Sequence, residues 1–152
     1  MSAMTTPNFG GFHGKVHILP IRIYYEDTDL SGIVYHANYL RYMERGRTEF
    51  FHAAGIERLA KLDGPDAFAW TLRKVALDYM RPARLGDLIE VHTKATSLTG
   101  ARMTAEQDIF CNGQQLTHGA VEACIITLTG KPLRIPQETR DKLSPFLYGS
   151  GA

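Results

Sequence analysis

Three carboxylates and a histidine stand close together where a strand-like run gives way to a helix-like one: Glu26, Asp27, Asp29 and His36 in YYEDTDLSGIVYH. Just beyond His36 the chain enters a helical pattern. The first N–H groups of a helix have no internal partners and carry the positive end of its dipole. A carbonyl oxygen placed there would be polarised, and an oxyanion would be stabilised. A carboxylate on the opposite side of that carbonyl could attack it directly or activate water. Such parts suit acyl transfer from a thioester and call for neither a metal nor a cysteine. The same residues admit other readings. An Asp at a strand-to-helix junction commonly closes an Asx-turn or caps a helix. A histidine at a helix start is often a structural hydrogen-bonding group. Glu26, Asp27, Asp29 and His36 could also face a hard divalent cation, although their spacing is not that of an EF-hand loop. Taken alone, the residue types carry the chemistry as far as a hydrolase hypothesis.

The elements that must position these groups are readable on both sides. VHILPIRIYY, Val16 to Tyr25, is dense in β-branched and aromatic residues and predicts a strand, with Pro20 marking an edge or bulge. ANYLRYMERGRTEFFHAAG predicts a long helix, with Tyr39, Tyr42, Met43, Gly46, Phe50, Ala53 and Ala54 on one apolar face. Gly55 is placed to stop it. Gly46 in mid-helix costs about 1 kcal/mol relative to Ala, so close packing of the helix backbone onto a sheet is expected there. IERLAKL predicts a short turn or helix. Strands follow at 66–79, 87–98, 101–111 and 114–128, with turns at Thr99-Gly100 and Asn112-Gly113. PQETRDKLSPF predicts a short surface helix. A strand, a long helix and then a run of antiparallel strands is an α+β order, with the helix on one face of the sheet.

The chain has 152 residues, 44% hydrophobic and 22% charged, which suits one globular domain. Seventeen Lys and Arg against sixteen Asp and Glu give a formal charge of +1, so no general electrostatic argument favours nucleic acid as a partner. No apolar run approaches the ~20 residues of a membrane span. The N-terminus lacks the apolar core of a secretory signal, so a cytoplasmic location is expected. Three regions are expected: a flexible N-terminal segment at 1–14, a folded domain at 15–135 and a C-terminal tail at 136–152. Cys111 and Cys124 form no metal-spaced pair. With a two-residue turn at Asn112-Gly113, Cys111 faces Gln114 and Cys124 faces Ala101, which leaves both thiols free. One helix covers only one sheet face, and small residues such as Ala67, Ala69, Thr93, Ala95 and Ser97 recur in the strands. A dimer or larger assembly is therefore expected.

The spelling YYEDTDLSGIVYHANYLRYMERGRTEFF, followed by Tyr79-Met80-Arg81-Pro82-Ala83-Arg84-Leu85-Gly86-Asp87, resembles the hotdog-fold acyl-CoA thioesterases of the Tol–Pal-associated and 4-hydroxybenzoyl-CoA thioesterase group. The resemblance covers about residues 18–135. It implies a hotdog fold, a five-stranded antiparallel sheet wrapped around one long central helix, and acyl-CoA hydrolysis to a carboxylic acid and CoA. It needs no cofactor, CoA being part of the substrate. Carried over residue by residue, the second Asp of D-x-D is the catalytic carboxylate, here Asp29. The backbone N–H that polarises the thioester carbonyl falls at His36. Tyr35 lines the substrate pocket, and Asp27 supports the loop. Val34-Tyr35-His36-Ala37-Asn38 matches the Tol–Pal-associated branch, which implies a fatty or short acyl group rather than an aromatic acid. The family also implies a homodimer or homotetramer, with acyl carrier protein or phospholipid-synthesis enzymes as partners. The basic residues that hold CoA phosphates in the aromatic branch have no match, and Arg102 is a candidate on position alone. A non-hydrolytic acyl-thioester or acyl-carrier-protein binding module and a hotdog dehydratase are the competing readings.

Overall fold

A computed structural model describes residues 5–149. A curled antiparallel sheet runs in the order β1-β2-β5-β6-β7-β4-β3, with β8 on β7. Five strands are long: β2 (Val16–Arg22), β4 (Phe68–Tyr79), β5 (Leu88–Leu98), β6 (Arg102–Cys111) and β7 (Gln114–Ile126). Three are short: β1 (Gly11–His13), β3 (Ala60–Lys61) and β8 (Pro132–Leu133). Among the described residues the sheet thus has eight strands where five were expected. Two-residue strands carry too little periodicity to be read from sequence. β3 also replaces the turn or helix expected at IERLAKL, and β1 lies within the segment expected to be loose. The first long strand ends at Arg22, and Tyr25–Asp27 forms a single 3₁₀ turn.

Helix α1 (Asn38–Ala53) lies in the concave face. Strand alternation explains that face: Ile89, Val91, Thr93 and Ala95 of β5, Met103, Ala105, Gln107 and Ile109 of β6, and Val121, Ala123 and Ile125 of β7 are buried. The intervening residues point outward and are largely polar, with ion pairs Lys94–Glu106, His118–Asp108 and Arg73–Glu122. Bulges at Leu72/Lys74, Ala95/Ser97 and Ile109/Phe110 increase the curl. The last of them shifts the β6–β7 register by one, so Cys124 pairs with Arg102, not Ala101. Both cysteines are free. The hairpin turn itself is as expected, with Asn112 and Gly113 at φ 50° and 78°.

The apolar face of α1 is Tyr39, Tyr42, Met43, Gly46, Phe50 and Phe51. Ala53, expected on this face, is exposed, while Ala54 just past the helix is partly buried against the core. Gly55 closes the helix at φ 95°, and Ile56 N–H reaches Phe51 O while Gly55 N–H reaches His52 O, a Schellman arrangement. Gly46 fixes how deep the helix lies. A Cβ there would stand 2.7 Å from Val91 Cγ1, 3.0 Å from Thr93 Oγ1 and 3.1 Å from Gln107 Nε2. Gln107 is fully buried and fully bonded. Its Nε2 donates to Met43 O (2.8 Å) and Thr93 Oγ1 (2.9 Å), and its Oε1 accepts from Arg47 (2.9 Å). At the far end Phe12 of β1 stacks on Phe146 and meets Phe50 edge-on, which closes the core over the helix C-terminus. Helix α2 (Gln137–Leu143) anchors the C-terminal segment through Leu143, which is buried.

His17 of β2 faces this core between Phe12 and Phe50, and burial pushes its pKa below 6.5, with His13 adding to the shift. A folded-state pKa below the unfolded one means that the unfolded chain takes up the proton first as pH falls. The contribution of His17 is therefore level above pH 6.5 and is lost below it. His118, raised by Asp108, acts with the opposite sign. His17→Phe should reduce the drop in urea-unfolding free energy between about pH 7.5 and 5.5, whereas an unchanged drop contradicts this assignment. Gly46→Ala should lower stability by about 1–3 kcal/mol through overpacking, even though Ala is the better helix former. A thermal midpoint at or above that of the parent chain would show that the helix does not press on the sheet there.

Candidate active site

The segment from Tyr24 to Asn38 is held by a small number of strong contacts. Tyr24 N–H donates to Asp27 Oδ2 (2.7 Å), closing the 3₁₀ turn on itself. The Asp27 main-chain oxygen then accepts two bonds, from Tyr35 N–H (3.0 Å) and from Asn38 Nδ2 (2.9 Å). Between these anchors Thr28 and Val34 form an antiparallel bridge, and Ile33 bridges to Arg84. Asp29 N–H donates to Ile33 O and Gly32 N–H to Asp29 O, with Gly32 at φ 78°. A β-branched residue at that φ would be strained, so Gly fits the tip. The loop therefore projects Asp29 from a fixed base and returns the chain to the helix at His36.

Asp29 is exposed at the loop tip. Its Oδ1 accepts both Ser31 Oγ (2.5 Å) and Ser31 N–H (2.8 Å). These bonds, the hydroxyl first, hold its pKa below the ordinary 3.8, and the nearby His36 ring lowers it further. The Asx-turn reading and the catalytic reading thus describe one geometry: Ser31 occupies one carboxylate oxygen, and Oδ2 takes no part in that turn. Ser31 was not singled out from sequence, although its i+2 position in Asp-Leu-Ser is the spacing an Asx-turn needs.

His36 begins the entry to α1. Its ring packs beside Tyr35, 4.5 Å between centroids. A cavity of about 350 Å³ adjoins it, lined by Ile33, Val34, His36, Tyr39, Tyr79, Met80, Arg81 and Pro82. Tyr35 is exposed beside this cavity and is not part of its lining. A roomier cavity of about 840 Å³ lies between β2 and the outer side of α1, lined by Arg22, Glu26, Asp27, Arg41 and Arg45 among others. Neither Asp29 nor His36 lines it. Glu26 and Asp27 line that cavity, and Asp29 does not.

Tyr42 lies beneath the loop, 1% exposed, and burial followed by the neighbouring Asp27 carboxylate pushes its phenol pKa up. Asp27 is thereby a structural acid that faces a neutral phenol. Among the described residues no group of three or more His, Cys, Asp or Glu could hold a metal ion. Arg102 pairs with Glu122 at 3.5 Å on the outer face, together with Arg73. No helix among the described residues is long and apolar enough to cross a membrane.

The family described as Thioesterase superfamily matches residues 31–118. The chain is 36% identical over 122 residues to the acyl-CoA thioesterase YbgC of Haemophilus influenzae, covering 80% of this chain and 89% of that protein. It is 36% identical to the acyl-CoA thioester hydrolase YbgC of Escherichia coli O157:H7, covering 78% and 88%. A Bartonella henselae structure described as a probable thioesterase superposes with a TM-score of 0.71 at 36% identity, covering 80% of this chain and 98% of that one. A 1,4-dihydroxy-2-naphthoyl-CoA thioesterase from Synechocystis shares the fold, with a TM-score of 0.77 at 21% identity, covering 85% and 96%. On the family match and the 36% identical relatives, the chain belongs to the thioesterase superfamily, and its curled sheet with one long helix is the hotdog fold.

Proposed function

We propose that this protein hydrolyses acyl-CoA thioesters with Asp29 as nucleophile and the His36 backbone N–H as oxyanion donor. The observation that carries this reading is the pairing of an ionised, half-committed carboxylate with a helix entrance across one short loop. A general base works best with a pKa near the working pH. Asp29 is held below the ordinary carboxylate range, which makes it a weak base that stays charged. Attack by its free oxygen on the thioester carbon would give a tetrahedral oxyanion facing the helix N-terminus. Collapse breaks the C–S bond, and CoA leaves as thiolate and is protonated by solvent. Water then hydrolyses the mixed anhydride, releasing the acid and restoring the carboxylate. No cofactor enters these steps.

The homologues named as acyl-CoA thioesterases support CoA esters as the substrate class, and the Val34-Tyr35-His36-Ala37-Asn38 spelling supports an aliphatic acyl group. A second copy of the chain fits the free edge of β4. Among the described residues its outer edge is paired only at Phe68 and Ala69, while Leu72, Val75, Tyr79 and Met80 are exposed. The outward face of β5–β7 is polar, so the apolar surface available to a partner gathers at β4 and the loop mouth.

A panel from acetyl-CoA to palmitoyl-CoA, with 4-hydroxybenzoyl-CoA, identifies the preferred ester. With that ester Asp29→Asn should lower kcat by at least about a hundredfold. His36→Ala should retain kcat within about fivefold, because the proposed donor is main chain. Full activity in Asp29→Asn would defeat the proposal, and loss of activity in His36→Ala would transfer the role to the imidazole.

A further inference from the structure

The entry to α1 departs from regular α-helical bonding in a way that leaves one carbonyl over. Asn38 N–H donates to Tyr35 O at 2.9 Å and Leu40 N–H donates to Ala37 O at 3.2 Å, both three residues back. This 3₁₀-like turn uses the carbonyls on either side of His36. The carbonyl between them, His36 O, accepts the phenol of Tyr79 at 2.7 Å. Tyr79 is the last residue of β4, 43 positions along the chain. A sheet strand therefore reaches across and holds the peptide that leads into the helix.

Both ends of this tether are fixed. The Tyr79 ring meets Tyr39 edge-on, 5.5 Å between centroids and 77° between planes. Tyr39 is buried, and its own hydroxyl accepts the Ala83 N–H at 2.9 Å, locking it to the turn after β4. The phenol of Tyr79 has one proton, and that proton is committed to His36 O. Burial pushes its pKa above 10, so it remains a donor through neutral pH. It consequently acts on the peptide and not as a donor to a ligand.

We infer that Tyr79 is a positioning residue for the oxyanion site: its bond to His36 O fixes the 36–37 peptide plane and, with the 35–36 plane held through Asn38, limits the directions open to the His36 N–H. The inference rests on the assignment of that N–H as the oxyanion donor. Two neighbouring peptides are involved. The 35–36 plane is set by Tyr35 O accepting Asn38 N–H, and the 36–37 plane by Tyr79. With both planes held, the His36 N–H is restricted in direction. The bond to His36 O also polarises the 36–37 peptide, which strengthens the adjacent Ala37 N–H as a donor. Such an effect is felt where charge develops on the carbonyl oxygen, hence in the transition state more than in substrate binding.

Tyr79→Phe removes the hydroxyl and keeps the ring against Tyr39. With the preferred ester of the panel above, kcat should fall about tenfold while KM stays within about twofold. The thermal midpoint should stay within about 2 °C. A trifluoromethyl ketone analogue of the acyl-CoA, which mimics the tetrahedral adduct, should lose affinity in proportion to kcat. A thioether analogue lacking the carbonyl should bind as to the parent chain. An unchanged kcat, or a loss shared by kcat, the thioether analogue and the thermal midpoint, overturns the inference. Asp29→Asn in the same assay separates the two levels. If it stays active, the whole site assignment fails. If it is inactive while Tyr79→Phe is fully active, only the role of Tyr79 fails.

Discussion

One main-chain oxygen ties the proposed catalytic loop together. The carbonyl of Asp27 accepts the N–H of Tyr35 and the side-chain amide of Asn38, and so joins the point where the loop leaves to the point where the helix begins. The residues between are further pinned by the Thr28–Val34 bridge and the Ile33–Arg84 bridge. Asp29 is two residues from that oxygen on one side, and His36 lies between its two donors on the other. Their separation is therefore set by backbone bonds and not by the rotamers of exposed side chains. A reacting carbon that must meet both a nucleophile and a donor gains from such rigidity, since misplacement by an ångström costs orders of magnitude in rate.

The helix must in turn be held against the sheet, and small residues and one amide do this. Gly46 lets the backbone of α1 approach Val91 and Thr93, and Gly119 of β7 leaves room for Met43, whose Cε would lie 2.6 Å from an added Cβ. Gln107 fills the gap with a polar side chain whose hydrogen bonds are all made within the core, to Met43 O, Thr93 and Arg47. A buried amide of this kind is costly when half-satisfied and specifying when complete. It fixes the helix in translation along the sheet, so the helix entrance meets Tyr79 at the end of β4.

Much of this was legible in the residues. The period of the Tyr39–Phe50 face, the glycine stop at Gly55, the Asn112-Gly113 turn and the reason for Gly46 all follow from local chemistry, and each stands in the structure. The family resemblance points to Asp29 rather than Asp27, and the two are placed differently: Asp27 closes the turn onto Tyr24 N–H, while Asp29 is exposed at the loop tip. What could not be read were features made by distant pairing. The short strands β1, β3 and β8 have no period of their own, and the bulge after Ile109 moved Cys124 opposite Arg102. The Tyr79–His36 bond joins residues 43 apart and has no sequence signature at all. Ser31 lay between these cases, with a spacing that was visible and a consequence for Asp29 that was not.

The central claim is geometric: a thioester carbonyl lies between the free oxygen of Asp29 and the N–H of His36. A crystal structure of the protein with an acyl-CoA ketone analogue, carrying a methylene between sulfur and carbonyl, tests it directly. The account predicts the ketone oxygen about 3 Å from His36 N, with the Asp29 carboxylate over the opposite face of the carbonyl carbon. A carbonyl bound away from His36, or one whose open face is turned from Asp29, would contradict it.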